Sequence, residues 1–182
     1  AIKANAEYAE AWFASGAIHQ MQGRIDEAMA SYKQAIAIHP TFAEAHYNLG
    51  ELQQGLQQFE DAVESYDKVI RFSNSLPQAY SRRGDALHKL HQLNAAIASY
   101  DKAILAAPGH FEAYFNRANV LKELGKIDEA IRAYDDAIYI QPDFHQAHYN
   151  RANTLKAQGD LQAALDGYSQ AIAIKSDFTE AH

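Results

Sequence analysis

The chain has 182 residues, with no cysteine, four prolines and nine glycines, and carries a formal charge of -7. Apolar residues make up 48% and charged residues 21%, which excludes a disordered polyampholyte, and the missing cysteines exclude a disulfide scaffold, a thiolate zinc site and a cysteine nucleophile. The acidic balance lacks the basic footprint of a nucleic-acid binder, and no apolar run approaches the roughly 18 residues of a membrane span.

The opening AIKANAEYAEAW has no basic stretch followed by an apolar run, so no secretory signal is visible and a cytoplasmic location is expected. From residue 9 onward a period of 34 residues governs the chain. Its clearest mark is Tyr32, Tyr66, Tyr100, Tyr134 and Tyr168, each followed four residues later by Ile36, Ile70, Ile104, Ile138 or Ile172. Gly16, Gly50, Gly84, Ala118 and Ala152 precede Ala28, Ala62, Ala96, Ala130 and Ala164 at a constant offset. The repeats run 9–42, 43–76, 77–110, 111–144 and 145–178. Residues 1–8 match the end of a preceding repeat, and 179–182 restart another.

Each repeat predicts two helices. Tyr114, Ala118 and Leu121 carry helical spacing in a first half, and Ala130, Ile131, Tyr134, Ala137 and Ile138 carry it in a second. Gly23, Gly125 and Gly159 suit the left-handed residue that ends a first helix. Gln57 and His91 replace that glycine, so strained turns are expected in repeats 2 and 3. Second helices are expected to begin near Asp26, Asn94 and Asp128, which are good N-cap types. Pro40, Pro108 and Pro142 stop them. Asn74 takes the place of the terminal proline in RFSNSLP, and Pro77 fits a first turn. The small residue of each first helix is expected opposite the alanine of the second, with the tyrosine filling the neighbouring space.

With its Trp, Gly, Gly, Ala, Tyr, Ala and Pro landmarks, AEAWFASGAIHQMQGRIDEAMASYKQAIAIHP resembles a tetratricopeptide repeat, and the resemblance covers 9–178. It implies an all-α, right-handed superhelical solenoid of antiparallel helix pairs, whose first helices line a concave face. On that face it places the sixth residues, Ala14, Asn48, Arg82, Asn116 and Asn150, and the ninth, Ala17, Glu51, Asp85, Asn119 and Asn153. The second residues (Glu10, Glu44, Gln78, Glu112, Gln146) and the fifth (Phe13, Tyr47, Ser81, Phe115, Tyr149) join them, with Lys122 and Lys156 towards the C-terminus. A fifth-residue aromatic has a second reading, half-buried against the next repeat.

No phosphate loop, dinucleotide fingerprint, His-Glu-x-x-His or nucleophile elbow is present, so neither a cofactor nor a catalytic residue is expected. His88 and His91, and His145 and His148, share spacing but lack a third ligand, so no metal site is expected. The expected function is a protein-interaction module that holds an extended peptide in its groove through Asn48, Arg82, Asn116, Asn119, Asn150, Asn153, Lys122 and Lys156. An asparagine offers both a donor and an acceptor to a peptide backbone, independent of that peptide's sequence. Lysine is absent from the fifth residues, which disfavours a chaperone-tail clamp. The sixth-residue asparagines resemble the repeat domain of O-linked N-acetylglucosamine transferases, which implies an alternative, the recognition arm of a larger enzyme. A self-assembling scaffold is the third, stacking end to end through terminal repeats without capping helices.

One internal co-variation stands apart from the groove. Arg83, Arg117 and Arg151 occupy the seventh residue, and sixteen residues earlier stand Asp67, Asp101 and Asp135. Where the seventh residue is Leu49, the matching residue is Lys33. Inter-repeat ion pairs are predicted for the first three and not for the fourth.

Overall fold

The structure, a computed structural model, describes residues 2–73 and 76–175, with side chains from residue 7 onward. It consists of helices throughout these residues and divides into two compact units, Ala1–His91 and Gln92–His182. The first holds α1 (Ile2–Met21), α2 (Ile25–Ile38), α3 (Ala43–Gly55), α4 (Phe59–Phe72) and α5 (Gln78–Lys89). The second holds α6 (Leu93–Ala106), α7 (Phe111–Glu123), α8 (Ile127–Ile140), α9 (His145–Gln158) and α10 (Leu161–Ile174). Within each unit every helix packs on the next in sequence.

The predicted turns are present. Gly23, Gly125 and Gly159 have φ of 72°, 76° and 96°, and Gln57 and His91 are forced into the same left-handed region at 61° and 56°. That conformation brings Cβ against the carbonyl oxygen, so the last two turns carry strain that glycine avoids. The second helices begin earlier than their acidic residues suggest. Arg24, Gln92 and Lys126 are the N-caps, and none makes a side-chain capping bond. Asp26 and Asp128 sit instead inside the first turn, where a carboxylate meets the positive end of the helix dipole. Asp160 does cap α10, accepting from the Ala163 N–H at 3.1 Å.

Helices α2, α6 and α8 stop two residues short of Pro40, Pro108 and Pro142. The intervening His39, Ala107 and Gln141 adopt φ near -130° to -140° (-129°, -142°, -128°), as a residue before proline must. Asn74 lies outside the described residues. Pro77 is the N-cap of α5, already helical at φ -59° and ψ -24°. Helix α1 runs unbroken through residues 2–21, where the repeat pattern predicts one helix ending and another beginning at residue 9. Ala6 stands there in place of the proline, and alanine continues a helix. The side chains of residues 1–6 and residues 176–182, at the ends through which end-to-end stacking is expected, lie outside the described residues.

The core is built on the tyrosines. Tyr32, Tyr66 and Tyr134 are fully buried. A Cβ on Gly16 would lie 2.6 Å from the Tyr32 ring, and one on Gly50 would lie 2.9 Å from the Tyr66 ring. The glycines therefore make room for the tyrosine ring beside them. A small-on-small contact occurs in α9–α10, where a Cβ on Gly167 would stand 3.0 Å from that of Ala152. The fifth-residue aromatics complete these cores: Phe13 lies 5.7 Å from Tyr32, Tyr47 5.8 Å from Tyr66, and Phe115 5.9 Å from Tyr134. All three are half-buried, and each packs on the tyrosine of its own repeat rather than of the next.

Candidate functional site

The hydroxyls of the buried tyrosines hydrogen-bond polar side chains of the first helices, among them the candidate asparagines. In the first unit Tyr32 donates to Gln20 Oε1 at 2.7 Å and accepts from Asn48 Nδ2 at 3.2 Å. Tyr66 donates to Gln54 Oε1 at 3.1 Å. In the second unit the acceptor moves one helical turn: Tyr134 donates to Asn119 Oδ1 at 2.6 Å, and Tyr168 to Asn153 Oδ1 at 2.7 Å. Asn150 Nδ2 adds a second bond to Asn119 Oδ1, at 3.0 Å. Burial raises the pKa of Tyr32, Tyr66 and Tyr134, so their hydroxyls remain protonated donors.

The choice of acceptor follows the sequence. Gln20 and Gln54 occupy the twelfth residue of repeats 1 and 2, where repeats 4 and 5 have Lys122 and Lys156. Those two repeats supply Asn119 and Asn153 at the ninth residue instead. The glutamines are the acceptors of these hydroxyls, a role that the sequence reading overlooked. Their signal was this exchange between two residues three apart.

The networks divide the labour of the asparagines. Asn48 and Asn150 each commit an amide hydrogen to an internal partner, leaving the Oδ1 acceptor. Asn119 and Asn153 commit Oδ1 and leave the Nδ2 donor. Asn48 and Asn150 each keep a second amide hydrogen as well, so both retain a donor and an acceptor, whereas Asn119 Oδ1 already accepts twice and leaves its Nδ2 as the available group. Asn116 is half-buried, as are Asn48, Asn119, Asn150, Asn153 and Lys122, while Lys156 is exposed. Among the described residues neither lysine has a carboxylate partner.

Arg82 is exposed but not an isolated charge. Its Nε lies 3.6 Å from Glu51, its terminal nitrogen 3.8 Å from Asp85, and it hydrogen-bonds Tyr47. One cation between two carboxylates leaves this part of the first unit net negative. A cavity of about 310 Å³ adjoins it, lined by Glu51, Gln54, Gly55, Tyr66 and Arg82.

The seventh-residue arginines are set into ion pairs. Nε lies 2.6 Å from Oδ1 in Arg83–Asp67 and Arg117–Asp101, and 2.5 Å in Arg151–Asp135. Of the candidate histidines, His148 is buried with Nε2 2.9 Å from the Pro142 carbonyl, as His46 is against Pro40. Among the described residues no three His, Asp or Glu side chains converge as metal ligands, and no helix is long and apolar enough to cross a membrane.

The sequence matches family models for the TPR repeat over 21–57, 55–91 and 118–159, and for the tetratricopeptide repeat over 99–132, 77–110 and 145–178. No curated protein matches it. Among solved structures, a MamA protein is 24% identical, with a TM-score of 0.87 and 96% of this chain and 95% of that one covered. MamA from Desulfovibrio magneticus RS-1 is 19% identical, with a TM-score of 0.86 and coverage of 94% and 97%. YrrB, described as a TPR protein with an unusual peptide-binding site, is 22% identical, with a TM-score of 0.79 and coverage of 93% and 88%.

Proposed function

The chain belongs to the tetratricopeptide repeat family, whose members are protein-interaction modules, and from that premise we propose that it holds an extended partner segment along the polar face of its first helices. The observation that carries this reading is the tyrosine-anchored amide set in the second unit. Asn150 Oδ1 offers an acceptor, and the Nδ2 groups of Asn119 and Asn153 offer donors. A peptide backbone alternates N–H and C=O and needs both. Because the amides are held by buried hydroxyls, little side-chain entropy is lost on binding. Lys122 and Lys156 favour an acidic residue in the segment bound by this unit. In the first unit Asn48 supplies an acceptor and Glu51 and Asp85 outweigh Arg82, so a basic residue is favoured there. Asn116 extends the amide series at the first helix of repeat 4.

Each amide bond contributes about 0.5–1.5 kcal/mol net, so affinity requires several together and micromolar binding is expected. The experiment is to select displayed peptides on the intact chain and titrate the winners against Asn150→Ala/Asn153→Ala. A loss of tenfold or more supports the reading. Unchanged affinity in a variant that keeps its helical content would move the site off this face. YrrB's description as a peptide-binding repeat protein is consistent with this proposal.

A further inference from the structure

Repeat 2 departs from its neighbours at two residues one helical turn apart. Repeats 3, 4 and 5 carry arginine at the seventh residue and leucine at the eleventh: Arg83 and Leu87, Arg117 and Leu121, Arg151 and Leu155. Repeat 2 carries Leu49 and Gln53, with the apolar and polar roles exchanged. At the three arginine junctions the guanidinium reaches the aspartate of the preceding second helix. In repeat 2 no arginine fills that space, and Lys33 stands where the aspartate would be. A cavity of about 220 Å³ remains between α2, α3 and α4.

The cavity is a built polar slot. Gln53 is only 7% exposed, and its Oε1 is held by the Ser65 hydroxyl at 2.6 Å. Its amide nitrogen has no hydrogen-bond partner among the described residues, and Gln53 lines the cavity. Leu49 and Ile36 supply an apolar wall. Lys33 lines the rim without a carboxylate partner among the described residues, whereas Lys68 is 3.7 Å from Glu64. Asp61 is the remaining charge on the rim. His46 lines the slot too, but its Nε2 is held by the Pro40 carbonyl.

We propose that this slot binds a carboxylate-bearing side chain, a glutamate or aspartate of a partner protein, with the carboxylate on Lys33 and the Gln53 amide and the methylene stem on Leu49. The arrangement inverts the chain's own arginine junctions: there an internal cation meets an internal aspartate, here an internal cation awaits an external anion. Asp61 opposes the ligand's charge and restricts its approach to the Lys33 side. The site is separate from the amide groove and does not depend on it.

The test uses the whole chain and N-acetyl-glutamate α-amide as probe, with the glutamine and lysine analogues as controls, followed by NMR of the Gln53 side-chain amide. The glutamate probe is expected to shift that signal saturably, with a dissociation constant on the order of 1 mM for so small a ligand. Lys33→Met, which keeps the stem, is expected to weaken binding about fivefold or more, and Asp61→Asn to tighten it. Leu49→Arg/Lys33→Asp rebuilds the pair of the other junctions and is expected to close the slot while preserving the fold. Absence of a saturable shift, an equal response to the glutamine analogue, preference for the lysine analogue, or indifference to Lys33→Met would each overturn the proposal.

Discussion

Arg117 Nε lies 2.6 Å from Asp101 Oδ1, joining the first helix of one repeat to the second helix of the repeat before it. The pair recurs as Arg83–Asp67 within the first unit and as Arg151–Asp135 within the second. The arginine is about a quarter exposed and the aspartate about half (27% and 52%), so solvent weakens the Coulomb attraction. A double-mutant cycle on Arg117→Met and Asp101→Asn is expected to give a coupling of about 0.5 kcal/mol. Raising salt to about 1 M, where charges are screened within ~3 Å, should remove it. Arg117→Ala is expected to cost more than Arg117→Met, because the arginine stem also covers apolar surface.

Gly16 and Gly50 test the tyrosine packing. Alanine at Gly16 would force its Cβ to 2.6 Å from a fully buried ring, and a loss of about 1–3 kcal/mol in thermal or urea unfolding is expected. Gly50→Ala, at 2.9 Å, is expected to lose less. Gly55 provides the control. It ends α3, and a Cβ there would meet nothing within 4 Å, so Gly55→Ala should be neutral or stabilising by up to about 1 kcal/mol.

Gln57 occupies the left-handed turn that glycine fills in repeats 1, 4 and 5. Gln57→Gly relieves a backbone cost of about 1–2 kcal/mol and returns part of it as unfolded-state entropy. A net gain of roughly 0.5–1 kcal/mol in unfolding free energy is expected. A loss would show that the Gln57 side chain contributes more than its backbone costs.

His46 gives a pH signature. Burial lowers its pKa from the usual 6.5, outweighing the opposing effect of its bond to the Pro40 carbonyl. The folded state therefore takes up the proton less readily than the unfolded state. The stabilisation is complete above the unfolded pKa of about 6.5 and is lost as pH falls from there through the lower folded value. His46→Gln is expected to flatten this part of the stability profile between about pH 7 and 5, measured by urea unfolding at each pH.

Tyr134 tests whether the hydroxyls organise the groove. Tyr134→Phe removes the 2.6 Å bond to Asn119 and leaves the ring in the core, at a stability cost of about 1 kcal/mol. Left with only its bond from Asn150, Asn119 is less firmly oriented, so a groove-bound peptide should lose affinity chiefly through faster dissociation. Equal dissociation rates for the two proteins would show that Asn119 is positioned by other contacts.

The sequence by itself determined the helices, their period, the left-handed turns and the arginine–aspartate pairs. These depend on residues at constant spacing, so each repeat reports independently on the same local geometry. The exchange of Asp67, Asp101 and Asp135 for Lys33, alongside Leu49, was legible for the same reason. Only the tertiary structure decided what Gly16 and Gly50 face, because a helix shows its small residues but not which ring a neighbour lays on them. It also decided how the asparagines share donors and acceptors. Tyr32, Tyr134 and Tyr168 read in sequence as core apolar residues, yet their hydroxyls hydrogen-bond the amides of Asn48, Asn119 and Asn153. The net charge around Arg82 likewise depends on Glu51, which approaches from the preceding repeat. Periodicity records what each position is, while the partner across a helix junction is set by packing between segments the period treats as equivalent.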